Sequence, residues 1–500
     1  MFIGREQELK FFNDRYNAPG GQLVILYGRR RVGKTETLRK FCEGRPHIFY
    51  TCREATDAKQ LAAFSERVLK AGSPAARYVN VFQDWEAAFK AALDMPAGGA
   101  KRLLVVDEFP YMCKSNPSIP STLQVLWDEQ FKDQDTMVVL CGSAMSFIEK
   151  EILSEKNPLY GRATGIFKMD ELPFEDAIKF FPSYSDEDKF LAYAILGGIP
   201  HYLRQFDPAL TLGDNIIENI LSKGCALYSE VEFLTRQEMR EPAMYNTVIE
   251  AIALGNTQLN DIHTKTQIEK SKLSVYLKNL ISLRILEREF SILSERGVAS
   301  SSKEQATSTR GLYHVTDNFI RFWFSYVLPN ISDLEIGDSA NIYKHAIEPQ
   351  INDFASPVFE AVCRGFIRRK NKAGELAFRV AKIGRWWGKL KKATAMGNGS
   401  GKGGFTSVDT EIDIVAIDAK AEHCILGECK FRNSPMGMAD IKRLKEKAPA
   451  VKSSPSIQYA LFSKSGFTAE LIDQAKHDKS IMLFTLADII TSLRSCEAII

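Results

Sequence analysis

Residues 28–35 read GRRRVGKT: a glycine, four residues, then Gly-Lys-Thr. Gly28 and Gly33 permit a tight loop, and backbone N–H groups from Arg29, Arg30, Arg31, Val32 and Gly33 through to Glu36 can wrap phosphate oxygens. Lys34 would reach the β- and γ-phosphates, and Thr35 would ligate Mg²⁺. The stretch LLVVDEFPY supplies matching carboxylates. Asp107 ends an apolar run, where a charge needs a reason to be, and holding that cation is one. Glu108 beside it can polarise an attacking water. Ser143, at the end of VVLCGS, lies where a polar sensor of the γ-phosphate or the water would sit. Arg162, in PLYGRAT, could neutralise developing phosphate charge, in cis or toward a neighbouring subunit, or be an ordinary surface arginine. The chemistry such a set could do is nucleoside triphosphate hydrolysis.

A second constellation lies near the other end. Residues 411–431, EIDIVAIDAKAEHCILGECKF, predict a β-hairpin with its tip between Lys420 and Ala421. That register sets Asp413 across from Glu428 and Glu411 across from Lys430, with Asp413, Glu428 and Lys430 on one face. Facing carboxylates repel, and a divalent cation between Asp413 and Glu428 would remove the conflict. Oxygen ligands suit Mg²⁺ or Mn²⁺. Lys430 could then orient a hydrolytic water or stabilise a pentavalent phosphate. The plainer alternative is a charged outer face.

These residues need elements to position them. Five strand-like runs, at 22–28, 47–52, 102–108, 136–143 and 165–172, alternate with amphipathic helical stretches, the pattern of a parallel sheet covered on both faces. Residues 174–240 read as helices. Residues 241–330 hold two helical patterns, strands for a wing and the Ser-rich loop ASSSKEQATSTRG. Mixed α/β character returns near 345, interrupted by GNGSGKGG at 397–404. A chain of 500 residues, 45% hydrophobic and 25% charged, is expected to form several soluble domains. It has no run of 18 apolar residues, so a membrane span is not expected. Nine scattered cysteines without a CxxC pair suit reduced thiols and a cytoplasmic location.

The words FIGREQEL, GRRRVGKT, VVDEFPY, CGS, YGR and GGIP resemble those of the archaeal-type ATPases, in the AAA+-related STAND group of P-loop proteins. The resemblance covers roughly residues 1–330. It implies a five-stranded parallel P-loop core at 1–173, a helical lid at 174–240 and a winged helix at 241–330. It also implies that Phe2, Ile3, Gly4 and Arg5 lie near the adenine, with Gly198 and Pro200 closing on ATP or ADP from the lid. FEAVCRGFI, KIGRWW, EIDIVAID and GECKF resemble the PD-(D/E)xK nuclease superfamily, implying a restriction-endonuclease-like α/β domain at 331–500. By that resemblance Glu360 completes an acidic cluster with Asp413 and Glu428; otherwise it is a helix-surface glutamate paired with Arg364.

From Ala361 to Lys392 there are eleven Lys/Arg and one acid, Glu375. Arg364, Arg368, Arg369, Lys370, Arg379, Lys382, Arg385, Lys389, Lys391 and Lys392 would attract a nucleic-acid backbone or form a solvated face. Trp386 and Trp387 could stack on bases, with at least one expected in the core. In 258–289, Leu273, Leu277, Leu280 and Ile281 form a packed face, leaving Lys270, Ser271, Lys272, Ser274 and Lys278 for solvent or DNA phosphate. The expectation is an ATP hydrolase that controls metal-dependent DNA cleavage, as a homo-oligomer or with a partner protein. The competing reading is a signalling or DNA-binding regulator whose terminal domain only binds.

Overall fold

The five apolar runs become five parallel strands: β1 (Gln22–Tyr27), β2 (His47–Thr51), β3 (Arg102–Asp107), β4 (Thr136–Gly142) and β5 (Gly165–Lys168). Their order is β2-β3-β4-β1-β5. Every residue of β1 and β4 is buried, because helices cover both faces. Phe64, Trp85 and Phe89 pack on one face, and Phe12, Leu38 and Phe41 on the other. The carboxyl ends of β1, β3 and β4 meet along one edge, where open α/β sheets place their ligands. The computed structural model describes residues 2–239, 241–292, 311–393, 405–451 and 456–497. The Gly-rich segment 397–404 and residues 299–310 of the Ser-rich loop lie outside the described residues. No described helix is long and apolar enough to cross a membrane.

The chain divides into two compact units: Met1–Ala177 with Gly198–Arg204, and Ile178–Gly197 with Gln205–Ile500. The segment expected as one lid, 174–240, is therefore shared between them. Gly198 belongs to the first unit because its carbonyl accepts from Leu172 N at 2.8 Å. A Cβ on Gly198 would lie 1.8 Å from Leu172 O, so only glycine fits. Gly198→Ala is expected to destabilise the first unit by about 1–3 kcal/mol, read as a lower denaturant midpoint. The helix Asp186–Leu196, in contrast, buries Phe190 against Phe359 and Phe431 of the second unit.

In the second unit, helices Pro242–Ala253, Leu259–Thr266 and Lys270–Ser282 precede an antiparallel ribbon, β6 (Leu286–Glu289) with β7 (Leu312–Val315). Leu273, Leu277 and Leu280 are buried as their spacing predicts, but Ile281 is only half-buried and Tyr276 completes the packed face. Lys270, Ser271, Lys272, Ser274 and Lys278 are all exposed. A mixed five-stranded sheet follows: β8 (Lys382–Ala393), β9 (Phe405–Ile417), β10 (His423–Lys430), β11 (Ser456–Ser463) and β12 (Ile481–Thr485). Its order is β12-β11-β10-β9-β8, antiparallel from β8 to β10 and parallel from β10 to β12. The helix Ile351–Ala373 turns Phe359, Val362, Phe366 and Ile367 inward. Trp386 is buried and Trp387 half-buried, so the core place expected for one of them is filled by Trp386. The β9–β10 hairpin pairs Ile417 with Cys424 and Ile414 with Gly427, the register expected from its polar tip.

Candidate nucleotide site and carboxylate cluster

In the first unit, β1 ends at Tyr27 and the loop runs from Gly28 into the helix Lys34–Cys42. A Cβ on Gly28 would approach Met169 O to 2.2 Å, so the strand can leave the sheet there only as glycine. Lys34 Nζ donates to Gly28 O and Arg29 O, both at 2.8 Å. Burial lowers its pKa from the ordinary lysine value. A phosphate oxygen would offer this ammonium a charged acceptor in place of two neutral carbonyls.

Thr35 Oγ1 donates to Asp107 Oδ2 at 2.8 Å. Asp107 is only 1% exposed, and its Oδ1 accepts from Glu108 N at 3.0 Å. A hydroxyl and a carboxylate oxygen thus share one place, a donor set that fits Mg²⁺. Glu108 sits at φ 52°, ψ 43°, a left-handed conformation that a non-glycine residue adopts at a cost. Its carboxylate accepts from Ser143 Oγ at 2.8 Å. Ser143 therefore lies at the strand end where the sequence placed it, with its hydroxyl on Glu108. Cys141, two residues earlier on β4, was missed by sequence reasoning; burial first, and then Asp107, pushes its thiol well above the ordinary range.

The N-terminal residues reach the same loop. Arg5 is buried, donating from Nη2 to Val32 O and from Nη1 to Glu8 Oε1, each at 2.6 Å. This anchors the stretch Phe2, Ile3, Gly4, Arg5 beside the phosphate loop. Pro200 also comes close, its Cγ 3.8 Å from where a Cβ on Gly33 would stand. Glu36 is exposed in the first turn of the following helix. His201, another residue the sequence did not flag, has its pKa lowered by burial and then by Arg31 and Arg204. Arg162 is turned elsewhere: Nε and Nη2 fork onto Asp128, at 3.0 and 2.7 Å, and Nη1 donates to Pro158 O at 2.8 Å. The carboxylate of Asp128, 34 residues earlier in sequence, holds the guanidinium, which the sequence left open as either a phosphate-neutralising or a surface arginine.

The second unit assembles the other cluster. Glu360 comes from the helix Ile351–Ala373, Asp413 from β9, and Glu428 and Lys430 from β10. Asp413 Oδ2 accepts from Cys429 N at 2.8 Å. Glu428 is ion-paired twice, Oε1 to Lys430 Nζ at 2.6 Å and Oε2 to Lys447 Nζ at 2.9 Å. Glu360 Oε2 lies 3.4 Å from Arg385 Nε and 3.7 Å from Arg364 Nη1. Arg385 also reaches Glu411 and Glu289 of β6, both at 3.3 Å. Burial pushes Glu360 and Asp413 above the ordinary carboxyl range, and a neighbouring carboxylate adds to it, Asp413 for the former and Glu428 for the latter. Burial pulls Lys430 down, but Glu428 outweighs it and the net shift is upward.

Glu428, expected to meet Asp413 across a cation, is ion-paired here to Lys430 and Lys447. The trio with ligand atoms within 4.8 Å among the described residues is Asp418, Glu422 and His423 at the hairpin tip, where Asp418 and His423 are themselves paired at 3.0 Å. Glu411, expected opposite Lys430, points its charge to Arg385. The basic tract is also divided. Arg364 and Arg385 serve the carboxylates and Lys370 pairs with Glu375 at 2.8 Å, while Arg368, Arg379 and Lys389 are exposed. Arg369 and Lys382 are half-buried, and the side chains of Lys391 and Lys392 lie outside the described ones. Lys447 and Glu289 were missed, because nothing local marks a lysine 17 residues beyond Lys430 as a partner of Glu428, or an acid on another sheet as a partner of Arg385.

The fold and strand-end chemistry of the first unit are those of an ATPase domain with a P-loop. Residues 2–206 match an ATPase domain found predominantly in Archaea, and residues 323–446 match archaeal and bacterial proteins of unknown function. An uncharacterized protein of Methanocaldococcus jannaschii is 32% identical over 445 residues, covering 89% of this chain and 90% of that protein. The chain belongs to the same family as that protein. An uncharacterized ATP-binding protein of the same organism is 49% identical over 45 residues, 9% of this chain and 76% of that one. A Walker-type ATPase of Pyrococcus abyssi is 20% identical, with TM-score 0.48 over 65% of this chain and 96% of its own.

Proposed function

We propose that this chain is an ATP hydrolase that uses the nucleotide to control DNA binding and metal-dependent phosphodiester cleavage by its C-terminal domain. The observation that carries the first half is the chain of contacts Thr35–Asp107–Glu108–Ser143 at the ends of β3 and β4. Lys34 and the loop amides bind the phosphates. Thr35 and Asp107 would hold Mg²⁺, which supplies charge neutralisation at the phosphates. Glu108, oriented by Ser143, accepts a proton from the attacking water.

For the second half, the buried and mutually repelling carboxyls of Glu360 and Asp413 form a donor set that a hard cation would relieve. Asp413 and Glu428 would hold Mg²⁺ or Mn²⁺, which supplies Lewis-acid activation of a phosphodiester. Lys430 would orient the water, and Lys447 would keep Glu428 in position. The helices 242–282 with the β6–β7 ribbon read as a winged helix, whose exposed Lys270, Lys272 and Lys278 face DNA phosphate. Glu289 of that ribbon shares Arg385 with Glu360, which supports coupling between the two.

Purified full-length chain is expected to hydrolyse ATP with Mg²⁺. Glu108→Gln should lose about a hundredfold in turnover yet still bind nucleotide; unchanged turnover would remove Glu108 from this role. Plasmid and single-stranded DNA, incubated with Mg²⁺ or Mn²⁺ with and without ATP, test the second half. Cleavage absent from Lys430→Ala but present in the native chain supports it. The double lysine pairing of Glu428 favours the second reading, a regulator whose terminal domain binds without cutting. Intact DNA under every condition, together with DNA binding, would establish that reading.

A further inference from the structure

β2 is the outermost strand of the first sheet: β3 lies on one side of it, and no described strand lies on the other. Along that open side runs a cleft of about 890 Å³. Its walls are the helices Lys34–Cys42 and Asp57–Lys70, which pack on opposite faces of the sheet. Lys59, Ala63 and Arg67 recur at helical spacing along one wall, and Arg39 stands on the other with its guanidinium 5.7 Å from the Phe49 ring. Arg53 lies at the strand's exit. Arg39, Arg53, Lys59 and Arg67 are exposed and form no ion pair among the described residues. The two acids of the cleft, Glu43 and Glu66, are already paired to Lys40 and Lys70. An open strand edge between two helical walls, carrying more cations than acids, contributes nothing to the nucleotide chemistry described above.

We infer that this cleft receives an extended acidic peptide segment of a partner protein, added as a strand to β2. A strand edge offers alternating N–H donors and C=O acceptors at peptide spacing, which a peptide backbone satisfies and a phosphodiester backbone, lacking N–H groups, does not. β2 has five residues, a length of about 17 Å and that of a short strand. Acidic side chains on the added strand meet the four cations, and alternate apolar ones meet Phe49.

The test uses the full-length chain and fluorescence anisotropy of a fluorescein-labelled peptide of alternating valine and glutamate. Three further probes accompany it: the same peptide N-methylated at its glutamates, a valine–lysine peptide, and a labelled single-stranded DNA. Binding of the valine–glutamate peptide is expected, weakened about tenfold or more both by N-methylation and by the double substitution Arg39→Glu, Arg67→Glu. Circular dichroism and ATP turnover check that this variant is folded. Equal binding of the N-methylated peptide would reduce the cleft to a patch that attracts any polyanion. Tighter binding of DNA would make it a nucleic-acid surface. No binding of the valine–glutamate peptide, or binding unchanged in the folded double variant, would overturn the inference outright.

Discussion

Lys34→Ala is expected to abolish ATP turnover, by about a thousandfold or more, and to remove the rise in melting temperature that ATP and Mg²⁺ give the native chain. Lys34 is 5% exposed, and its Nζ lies against Gly28 O and Arg29 O. Burial lowers its pKa, so the charge is maintained against its surroundings. That arrangement suits a group whose full electrostatic value appears when phosphate arrives, because charge interactions strengthen where water is excluded. Removing the side chain also leaves two loop carbonyls without their donor, so some loss of stability without ligand is expected. The two effects separate cleanly. Melting without nucleotide reports the loop, and the shift on adding ATP reports phosphate binding. A variant that melts lower but still gains stability with ATP, and still turns it over, would show that Lys34 is structural.

Asp413→Ala is expected to abolish any DNA cleavage while leaving ATP turnover intact, since Asp413 lies in the second unit and the phosphate loop in the first. Alanine would also leave Cys429 N without its acceptor, so Asp413→Asn is the sharper variant: its side-chain carbonyl can take that N–H without the charge. Both should be inactive. Their stabilities should diverge with metal chelated. Burial and then Glu428 raise the pKa of Asp413 in the fold. A carboxyl whose folded pKa is raised favours the protonated form, so its stabilising effect is present at low pH and is lost as pH rises through the folded value. At neutral pH the charged carboxylate therefore weakens the fold. Asp413→Asn should melt a few degrees higher than the native chain, and Asp413→Ala lower. A neutral-pH melting temperature for Asp413→Asn below that of the native chain would mean that Asp413 is a structural anion. Cleavage surviving in either variant would place the chemistry elsewhere.

The parts of this protein that follow from local pattern were legible without coordinates. Near-continuous Val, Leu and Ile runs specify strands buried on both faces. GRRRVGKT specifies a loop between strand and helix. A polar tip between alternating runs sets the 411–431 hairpin in one register, because a slip of one residue would turn every apolar side chain outward. Even the exposure of Lys270, Lys272 and Lys278 follows from the 3.6-residue period of the helix that carries them. The partners of charged groups did not follow. Asp128 holds Arg162, Lys447 shares Glu428 with Lys430, and Glu289 reaches Arg385 from a different sheet. So too with the segment 174–240: the close approach of Gly198 to Leu172 and the burial of Phe190 on Phe431 assign its parts to different units. Hydrophobic period and turn chemistry act over a few residues and are written along the chain. Ion pairs and inter-element contacts act between residues that only packing brings together, and the tertiary structure alone decides them.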